Sequence, residues 1–158
     1  MNSKVFITRG LSGAGKSTWA LEYARTHHKA VRISRDDIRF MLYNGDWKEE
    51  WEEAVNLARK ALTRNYLRWG YEVVLDETYL NPKGIKEINT MLKNIAEFEK
   101  LVIDVEIKDF IDVSLEECLA NNKPRGVNRF VPEDFMRRYY NIYVTPLLKD
   151  PGVTKWTI

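Results

Sequence analysis

One eight-residue segment near the amino terminus constrains this chain more than any other part of it. Residues 10–17 read Gly-Leu-Ser-Gly-Ala-Gly-Lys-Ser and match the phosphate-loop pattern G-x-x-x-x-G-K-[ST] at each fixed position. An apolar run, Val5 to Ile7, precedes the segment, and a helix-like stretch follows it. The sequence therefore predicts a buried strand, a loop that wraps phosphate groups, and a helix that starts at the loop.

The residue types in this loop match the chemistry of nucleotide binding. Gly10, Gly13 and Gly15 can adopt positive φ and let the backbone come close to a ligand, so that successive N–H groups point into one concavity. Lys16 is expected to reach the β- and γ-phosphates, and Ser17 to offer its hydroxyl to Mg²⁺. ATP or another nucleoside triphosphate and Mg²⁺ are the expected cofactors. The predicted nucleotide-binding residues are Gly10, Ser12, Gly13, Ala14, Gly15, Lys16, Ser17 and Thr18.

Length and composition favour one domain that spans residues 1–158 and is long enough to bury a core. The net charge is only +2, so any affinity for nucleic acid must come from local basic patches. The single cysteine, Cys118, excludes an intramolecular disulfide, is expected to be a buried apolar residue, and fits a reducing cytoplasm. The short apolar run at the amino terminus predicts neither a signal peptide nor a membrane span.

Strand-like and helix-like segments alternate along the chain. Strands are predicted at residues 4–8, 30–34, 71–75 and 101–107, with a fifth near 153–158, which indicates a three-layer α/β fold with a mostly parallel sheet and helices on both faces.

A long helix is predicted over residues 47–69. Its apolar residues recur at helical spacing, so its aromatic residues are interpreted as core rather than as a platform for nucleobases. Its glutamates are expected to form a solvated face, and Arg59 is expected to face away from the core. The predicted inner face consists of Trp51, Val55, Ala58, Leu62 and Trp69.

Two acidic residues follow the second predicted strand, at the edge where open α/β sheets place their chemistry. A carboxylate there can accept the proton of an attacking hydroxyl, while Arg35 or Arg39 keeps it ionised and binds an anionic substrate. The alternative is that Asp36 or Asp37 is a helix N-cap. Asp36 is favoured as the base, and Asp37 is left open between the two roles.

Asp76 and Glu77 follow the third predicted strand. A carboxylate in this position commonly acts on Mg²⁺, often through water, and either residue is a candidate. The alternative is that a strand-end acid only caps a helix or pairs with a neighbouring charge.

Two arginines lie four positions apart in a basic loop that also contains proline and glycine. Arg125 and Arg129 are predicted to act as a lid that places guanidinium groups on the transferring phosphate. The alternative is that this loop is solvated surface.

Taken in order, these motifs resemble the phage 5′-hydroxyl polynucleotide kinases, the kinase half of the end-healing kinase-phosphatase enzymes in the P-loop kinase superfamily. The resemblance covers nearly the whole chain. Outside the phosphate loop it is carried by R-D-D-I-R at residues 35–39, by the segment Asp76–Pro82 and by residues 125–132. The phosphate loop itself is shared by many kinases and specifies only a nucleotide.

The resemblance implies a P-loop kinase fold with an arginine-bearing lid, and an enzyme that uses ATP and Mg²⁺ to phosphorylate the 5′-hydroxyl of DNA or RNA. It places the general base at Asp36 and the residue that binds the phosphate beside the accepting hydroxyl at Arg39. It places Glu77 with them at the substrate and a lid arginine at Arg125. A phage origin would put the protein in the host cytoplasm.

This sequence departs from the family's pattern in two ways. The other lid arginine corresponds to Asn121, so Arg129 is expected to supply the missing charge. The phosphatase half is absent, which leaves room for separate phosphatase or ligase partners, and a homo-oligomer stays open.

Other functions also fit these motifs. Related phosphate-loop kinases of similar size phosphorylate small metabolites such as nucleosides, and some phage relatives phosphorylate hydroxymethylpyrimidine bases within DNA. A nucleotide-binding module without transfer activity is a further alternative, although such a module needs neither the Asp36–Arg39 pair nor a basic lid.

Overall fold

A five-stranded sheet carries the phosphate-loop segment on its central strand. The computed structural model describes residues 2–124 and 130–158, and its strands run in the order β2-β3-β1-β4-β5. The first four strands are parallel, and β5 pairs with β4 in antiparallel register. This arrangement confirms the predicted α/β fold with a mostly parallel sheet. The strands are β1 (Ser3–Arg9), β2 (Ala30–Ile33), β3 (Glu72–Leu75), β4 (Ile103–Asp109) and β5 (Lys155–Thr157).

Helices connect the parallel strands, as the alternating pattern predicts. They are α1 (Lys16–Thr26), α2 (Arg35–Tyr43), α3 (Glu49–Arg68), α4 (Pro82–Glu99), α5 (Leu115–Asn122), α6 (Glu133–Tyr139) and α7 (Thr145–Lys149), with a π-helical turn at Tyr140–Val144 between the last two. Within the described segments, no helix has both the length and the apolar character needed to cross a bilayer.

Alternate residues of the central strand pack on opposite faces of the sheet. Val5 and Ile7 belong to the main core, which α3 and α4 cover, whereas Phe6 packs with Ala20 of α1 on the other face. This alternation follows from the two-residue period of a strand, and a strand buried on both faces reads as a continuous apolar run. Helices on both faces therefore hold the end of β1, where the phosphate loop begins.

The inner face of α3 differs from the predicted one. Val55 is buried as expected, but Leu62 and Trp69 are exposed, the latter by 55%. The residues that pack inward recur every four positions and include polar side chains, so the spacing of apolar residues alone does not identify this face. The residues of this row are Val55, Arg59, Thr63 and Leu67. Arg59 was expected to face away from the core and is buried.

A smaller core packs the phosphate loop against α5 and α6. Leu11 and Ala14 of the loop lie in one apolar cluster with Cys118 and Met136, both of which are fully buried. The expectation that Cys118 is a buried apolar residue is confirmed.

Two of the three loop glycines use a backbone conformation that side chains disfavour. Gly13 and Gly15 have φ values of 82° and 90°, whereas Gly10 is not among the described residues with positive φ. Gly10 is required for a different reason, since a β-carbon there would lie 2.9 Å from Cβ of Phe110. The loop thus combines two left-handed residues with one close approach.

Replacing Gly13 by alanine is expected to destabilise the fold strongly. A β-carbon at this position would lie 2.4 Å from the carbonyl oxygen of Cys118, in addition to the strain of φ at 82°. Gly152 is a matched control, because its φ is 69° and no described heavy atom lies within 4 Å of a β-carbon built there. Urea denaturation should show a loss of about 1–2 kcal/mol for Gly152→Ala and at least about 3 kcal/mol for Gly13→Ala. Equal losses would contradict the proposed clash.

Candidate phosphoryl-transfer site

A polar cavity of about 620 Å³ lies at the carboxyl ends of the parallel strands. The phosphate loop, the first turn of α2 and the segment that follows β3 form its walls, and Asn121 and Tyr139 also line it. The structure thereby brings together predicted residues that are far apart in the sequence. Those on the cavity wall are Ser12, Gly13, Gly15, Lys16, Ser17, Thr18, Asp36, Arg39, Asp76 and Glu77.

Two of the predicted residues in the described part of the chain are not on this wall. Gly10 and Ala14 support the loop from beneath, where Gly10 donates its N–H to the Thr78 carbonyl at 3.0 Å and Ala14 is buried. Arg125 and Arg129 lie outside the described residues.

Hydrogen bonds from other elements hold the phosphate loop in shape. The Lys16 ammonium donates to the Leu11 carbonyl at 2.6 Å, a contact between two residues of the loop itself. The Asn121 amide donates to the Gly13 carbonyl at 3.0 Å from α5. Helix α1 starts at Lys16 with Gly15 as its N-cap, which directs the positive end of the helix dipole at the loop.

Neither Asp36 nor Asp37 is the N-cap of α2. That position belongs to Ser34, whose hydroxyl accepts the Asp37 N–H at 3.5 Å. Both acids therefore lie in the first turn of the helix, and the capping alternative is wrong for both. The Asp36 side chain is 77% exposed and accepts a hydrogen bond from Arg39 Nη1 at 2.5 Å.

Arg39 is held in place by a glutamate of α3. Its Nε and Nη2 donate to the two carboxylate oxygens of Glu52 at 2.5 and 2.8 Å, a bidentate pair. The hydrogen bond from Arg39, aided by its charge, lowers the pKa of Glu52. Glu52 was expected on a solvated face, but it pairs with Arg39 because α2 and α3 pack together.

Asp76 is buried at the end of β3 and bound by an arginine from β2. Its Oδ2 accepts from Arg32 Nε at 2.6 Å, and the same guanidinium pairs with Asp37. Its other oxygen, Oδ1, is 3.5 Å from the Thr8 hydroxyl. One carboxylate oxygen is thus firmly engaged and the other only weakly.

Glu77 accepts hydrogen bonds from two arginines, and its side chain is 8% exposed. Arg35 Nε donates to its Oε2 at 2.7 Å, and Arg59 Nη1 donates to its Oε1 at 3.2 Å. Thr8 anchors the backbone here, since its hydroxyl accepts the Glu77 N–H at 3.0 Å. Glu77 therefore joins β1, α2 and α3 at one point.

Sequence reasoning missed three residues of this network: Thr8, Arg32 and Arg59. A partial signal existed for Arg32, because a charged residue inside a four-residue apolar strand must find a partner when it is buried. Thr8 and Arg59 carry no comparable signal, since their partners become neighbours only when β1, β3 and α3 pack together.

The donor set fits Mg²⁺ held largely by substrate phosphates. Within the described ranges, no cluster of three or more His, Cys, Asp or Glu side chains could enclose a metal. Mg²⁺ usually takes one or two protein ligands and completes its shell with water and phosphate oxygens. Ser17 and Asp76 on the same cavity wall satisfy that limited requirement.

A comparison with known protein families identifies the family to which this chain belongs. A family model described as an AAA domain, AAA_33, matches residues 5–141, which is most of the chain. The chain belongs to this AAA domain family. The matched range contains the phosphate loop and the acidic residues that follow β2 and β3, namely Asp36, Asp37, Asp76 and Glu77.

Solved structures support a P-loop kinase-like fold for this AAA domain. A chain of the Pnkp1/Rnl/Hen1 RNA repair complex is 23% identical, with a TM-score of 0.80 over 99% of this chain and 48% of its own. The AAA domain thus spans about half the length of that relative. The structure of APE1195 is 21% identical, with a TM-score of 0.55 over 97% of this chain and 80% of its own.

A solved APS kinase structure has a similar fold. The APS kinase CysC of Mycobacterium tuberculosis is 14% identical, with a TM-score of 0.50 over 95% of this chain and 100% of its own. At these identities the likeness establishes the fold.

The contribution of Glu52 to the stability of the AAA domain is expected to depend on pH. The pKa of its folded carboxyl is lowered from 4.5 by Arg39, so its stabilising effect is complete above that value and disappears as the pH falls through the lowered pKa. Urea denaturation of Glu52→Gln should show a loss of about 1 kcal/mol at neutral pH that shrinks towards zero in acid. Glu50→Gln, an exposed change in the same helix, is the control, and a pH-independent loss for Glu52→Gln would contradict the pairing.

Proposed function

We propose that this protein is an ATP-dependent kinase that transfers the γ-phosphate to the 5′-hydroxyl of a DNA or RNA end. The observation that carries the proposal is that Lys16 and Asp36, from separate elements, line one cavity. Phosphoryl transfer needs the donor phosphates held and the acceptor hydroxyl aligned with them, and this cavity offers groups for both tasks. The likeness to a chain of an RNA repair complex favours a nucleic-acid acceptor that other proteins, such as a phosphatase or ligase, also process.

The donor side of the cavity is the phosphate loop. Its N–H groups and the start of α1 bind the β- and γ-phosphates, and Lys16 exchanges the Leu11 carbonyl for phosphate oxygens. Mg²⁺, held by Ser17 and Asp76, would neutralise charge on the donor phosphates when bound. Arg125 and Arg129 stay predicted lid residues that neutralise the transferring group.

The acceptor side is the first turn of α2. The exposed Asp36 carboxylate accepts the proton of the incoming hydroxyl, and the Arg39 guanidinium hydrogen-bonds to it. Arg39 also presents positive charge to a phosphate next to the accepting hydroxyl. The bidentate bond to Glu52 fixes Arg39 in that position.

The two acids after β3 divide the remaining tasks. Both Glu77 oxygens are occupied by Arg35 and Arg59, so this carboxylate is poorly placed to bind a metal. Among the described residues, the other Asp76 oxygen, Oδ1, has a single long contact, to the Thr8 hydroxyl at 3.5 Å. We therefore assign Asp76 to Mg²⁺ binding and Glu77 to the part of the cavity wall that contacts the substrate.

A radiolabel assay with several acceptors tests the proposed substrate. The purified protein is incubated with γ-labelled ATP and, in parallel, a 5′-hydroxyl oligonucleotide, a 5′-phosphorylated oligonucleotide, a hydroxymethylpyrimidine duplex and free nucleosides. Label should enter only the 5′-hydroxyl oligonucleotide, because Asp36 acts on a terminal alcohol that adjoins a phosphate. Label confined to internal bases or nucleosides would replace this acceptor, and ATP binding without any transfer would indicate a nucleotide-binding module.

Substitution of Asp36 by asparagine tests the proposed base. Asp36→Asn should lower kcat by about 10²–10⁴-fold, because the amide accepts no proton, while the Kd for ATP changes little. Lys16→Ala should weaken both binding and turnover. Asp46→Asn, an exposed change in the loop between α2 and α3, is the matched control and should retain full activity. Undiminished transfer by Asp36→Asn would eliminate the assignment.

A further inference from the structure

A buried arginine of α3 reaches the acceptor side of the cavity through another residue. Arg59 Nη1 donates to Glu77 Oε1 at 3.2 Å and to the Tyr79 hydroxyl at 3.3 Å. Glu77 Oε2 in turn accepts from Arg35 Nε at 2.7 Å. Arg35, Glu77 and Tyr79 all line the cavity. Three charges therefore form a chain, Arg59–Glu77–Arg35, that runs from the interior of α3 to the cavity wall.

The stability of the fold does not account for an arginine at this position. The Arg59 side chain is 10% exposed, and its Nε has no hydrogen-bond partner among the described residues. A buried guanidinium loses its hydration, and a buried ion pair is often no more stabilising than apolar side chains of the same volume. Buried polar atoms are nearly always bonded, so an incompletely bonded arginine indicates a role other than packing.

Tyr79, the second partner of Arg59, has an unusual backbone conformation. Its φ is 45°, which is rare for a bulky residue and is retained only where the surroundings enforce it. Burial, with a further contribution from the charge of Glu77, raises its pKa well above the usual value, so its hydroxyl stays neutral and accepts from Arg59. Arg59 thus contacts two residues of the cavity wall, Glu77 and Tyr79.

The side-chain hydrogen bonds in the chain of charges involve different residues from those on the donor side. Arg32 binds Asp37 and Asp76, and Lys16 binds the loop carbonyl of Leu11. The Arg59 guanidinium donates to Glu77 and Tyr79, and its carbonyl accepts from Thr63 of its own helix. A change at Arg59 should consequently affect the acceptor and leave the nucleotide largely undisturbed.

We propose that Arg59 is a positioning residue for the acceptor. It fixes the Glu77 carboxylate, which holds the Arg35 guanidinium on the cavity wall, and Arg35 binds a phosphate of the acceptor chain. This inference rests on the proposed function, because an acceptor with a phosphate near its hydroxyl is what Arg35 would recognise. Arg35 touches the substrate in this scheme, and Arg59 acts only through Glu77.

Steady-state kinetics with paired variants test the proposal. Arg59→Met removes the charge at similar length, and Arg64→Met makes the same change at a surface position of the same helix, where Arg64 pairs with Glu99. Arg59→Met should raise the KM for the 5′-hydroxyl oligonucleotide by about tenfold, the loss of one charge-assisted contact, with the KM for ATP unchanged within about twofold. Arg64→Met should change neither KM.

A double substitution distinguishes a positioning role of Arg59, exerted through Arg35, from a general structural role. If Arg59 acts through Arg35, Arg35→Met should raise the acceptor KM as much as Arg59→Met, and the double variant should be no worse than Arg35→Met alone. Additive effects, or equal losses for acceptor and ATP, would overturn the proposal. If Arg59→Met does not fold, Arg59→Lys carries the test, because it keeps the charge on a shorter side chain whose ammonium does not reach the position of Nη1, the atom that contacts Glu77 and Tyr79. It should raise the acceptor KM selectively.

A spectroscopic readout distinguishes failure of this inference from failure of the proposed function. If the wild-type protein phosphorylates no acceptor, the kinase proposal fails, and the chain of charges is tested by NMR of arginine Nε–H groups. Arg59→Lys should then shift the Arg35 Nε–H resonance, which Glu77 binds, whereas Arg64→Met should leave it in place. An unmoved Arg35 resonance in Arg59→Lys would overturn the positioning role whether or not the protein is a kinase.

Discussion

The site depends on two adjacent carboxylates that are buried at the end of β3 and neutralised by arginines from other elements. Asp76 is bound from β2 by Arg32, and Glu77 is bound from α2 and α3 by Arg35 and Arg59. A buried carboxylate without a partner would be strongly unfavourable, so each acid requires its arginine to be in place. Strand, helix and loop positions around the cavity are therefore coupled through charge as well as through apolar packing.

This coupling brings the phosphate loop and the first turn of α2 to the same cavity. The apolar cluster of α5 and α6 supports the phosphate loop, and the ion pairs of α2 and α3 support the wall on which Asp36 lies. The backbone and charged groups of the cavity are thus held before any ligand arrives. Preorganised groups of this kind need little rearrangement when charge develops during transfer, which is why such a cavity suits phosphoryl chemistry.

Much of this could be predicted from sequence, and the part that could not has a common cause. The phosphate loop, the alternation of strands and helices and the acids after β2 and β3 are local patterns, and the fold confirmed the first two. The predicted inner face of α3 was wrong at Leu62 and Trp69 because the buried row includes the polar residues Arg59 and Thr63. The side-chain partners of Arg59 follow β3, and the Thr63 hydroxyl donates to the Arg59 carbonyl of its own helix. Apolar periodicity identifies a buried face only when that face is apolar.

The sequence by itself determined where phosphate can bind, because a loop of closely spaced glycines followed by lysine and serine encodes its own backbone geometry and charge. It also determined the class of fold, because the two periodicities of strand and helix are properties of neighbouring residues. Only the tertiary structure decided how the charges pair. Arg32, Arg39 and Arg59 acquire their carboxylate partners through contacts across β2, β3, α2 and α3. An ion pair depends on distance in space, and that distance exists only once the chain has packed.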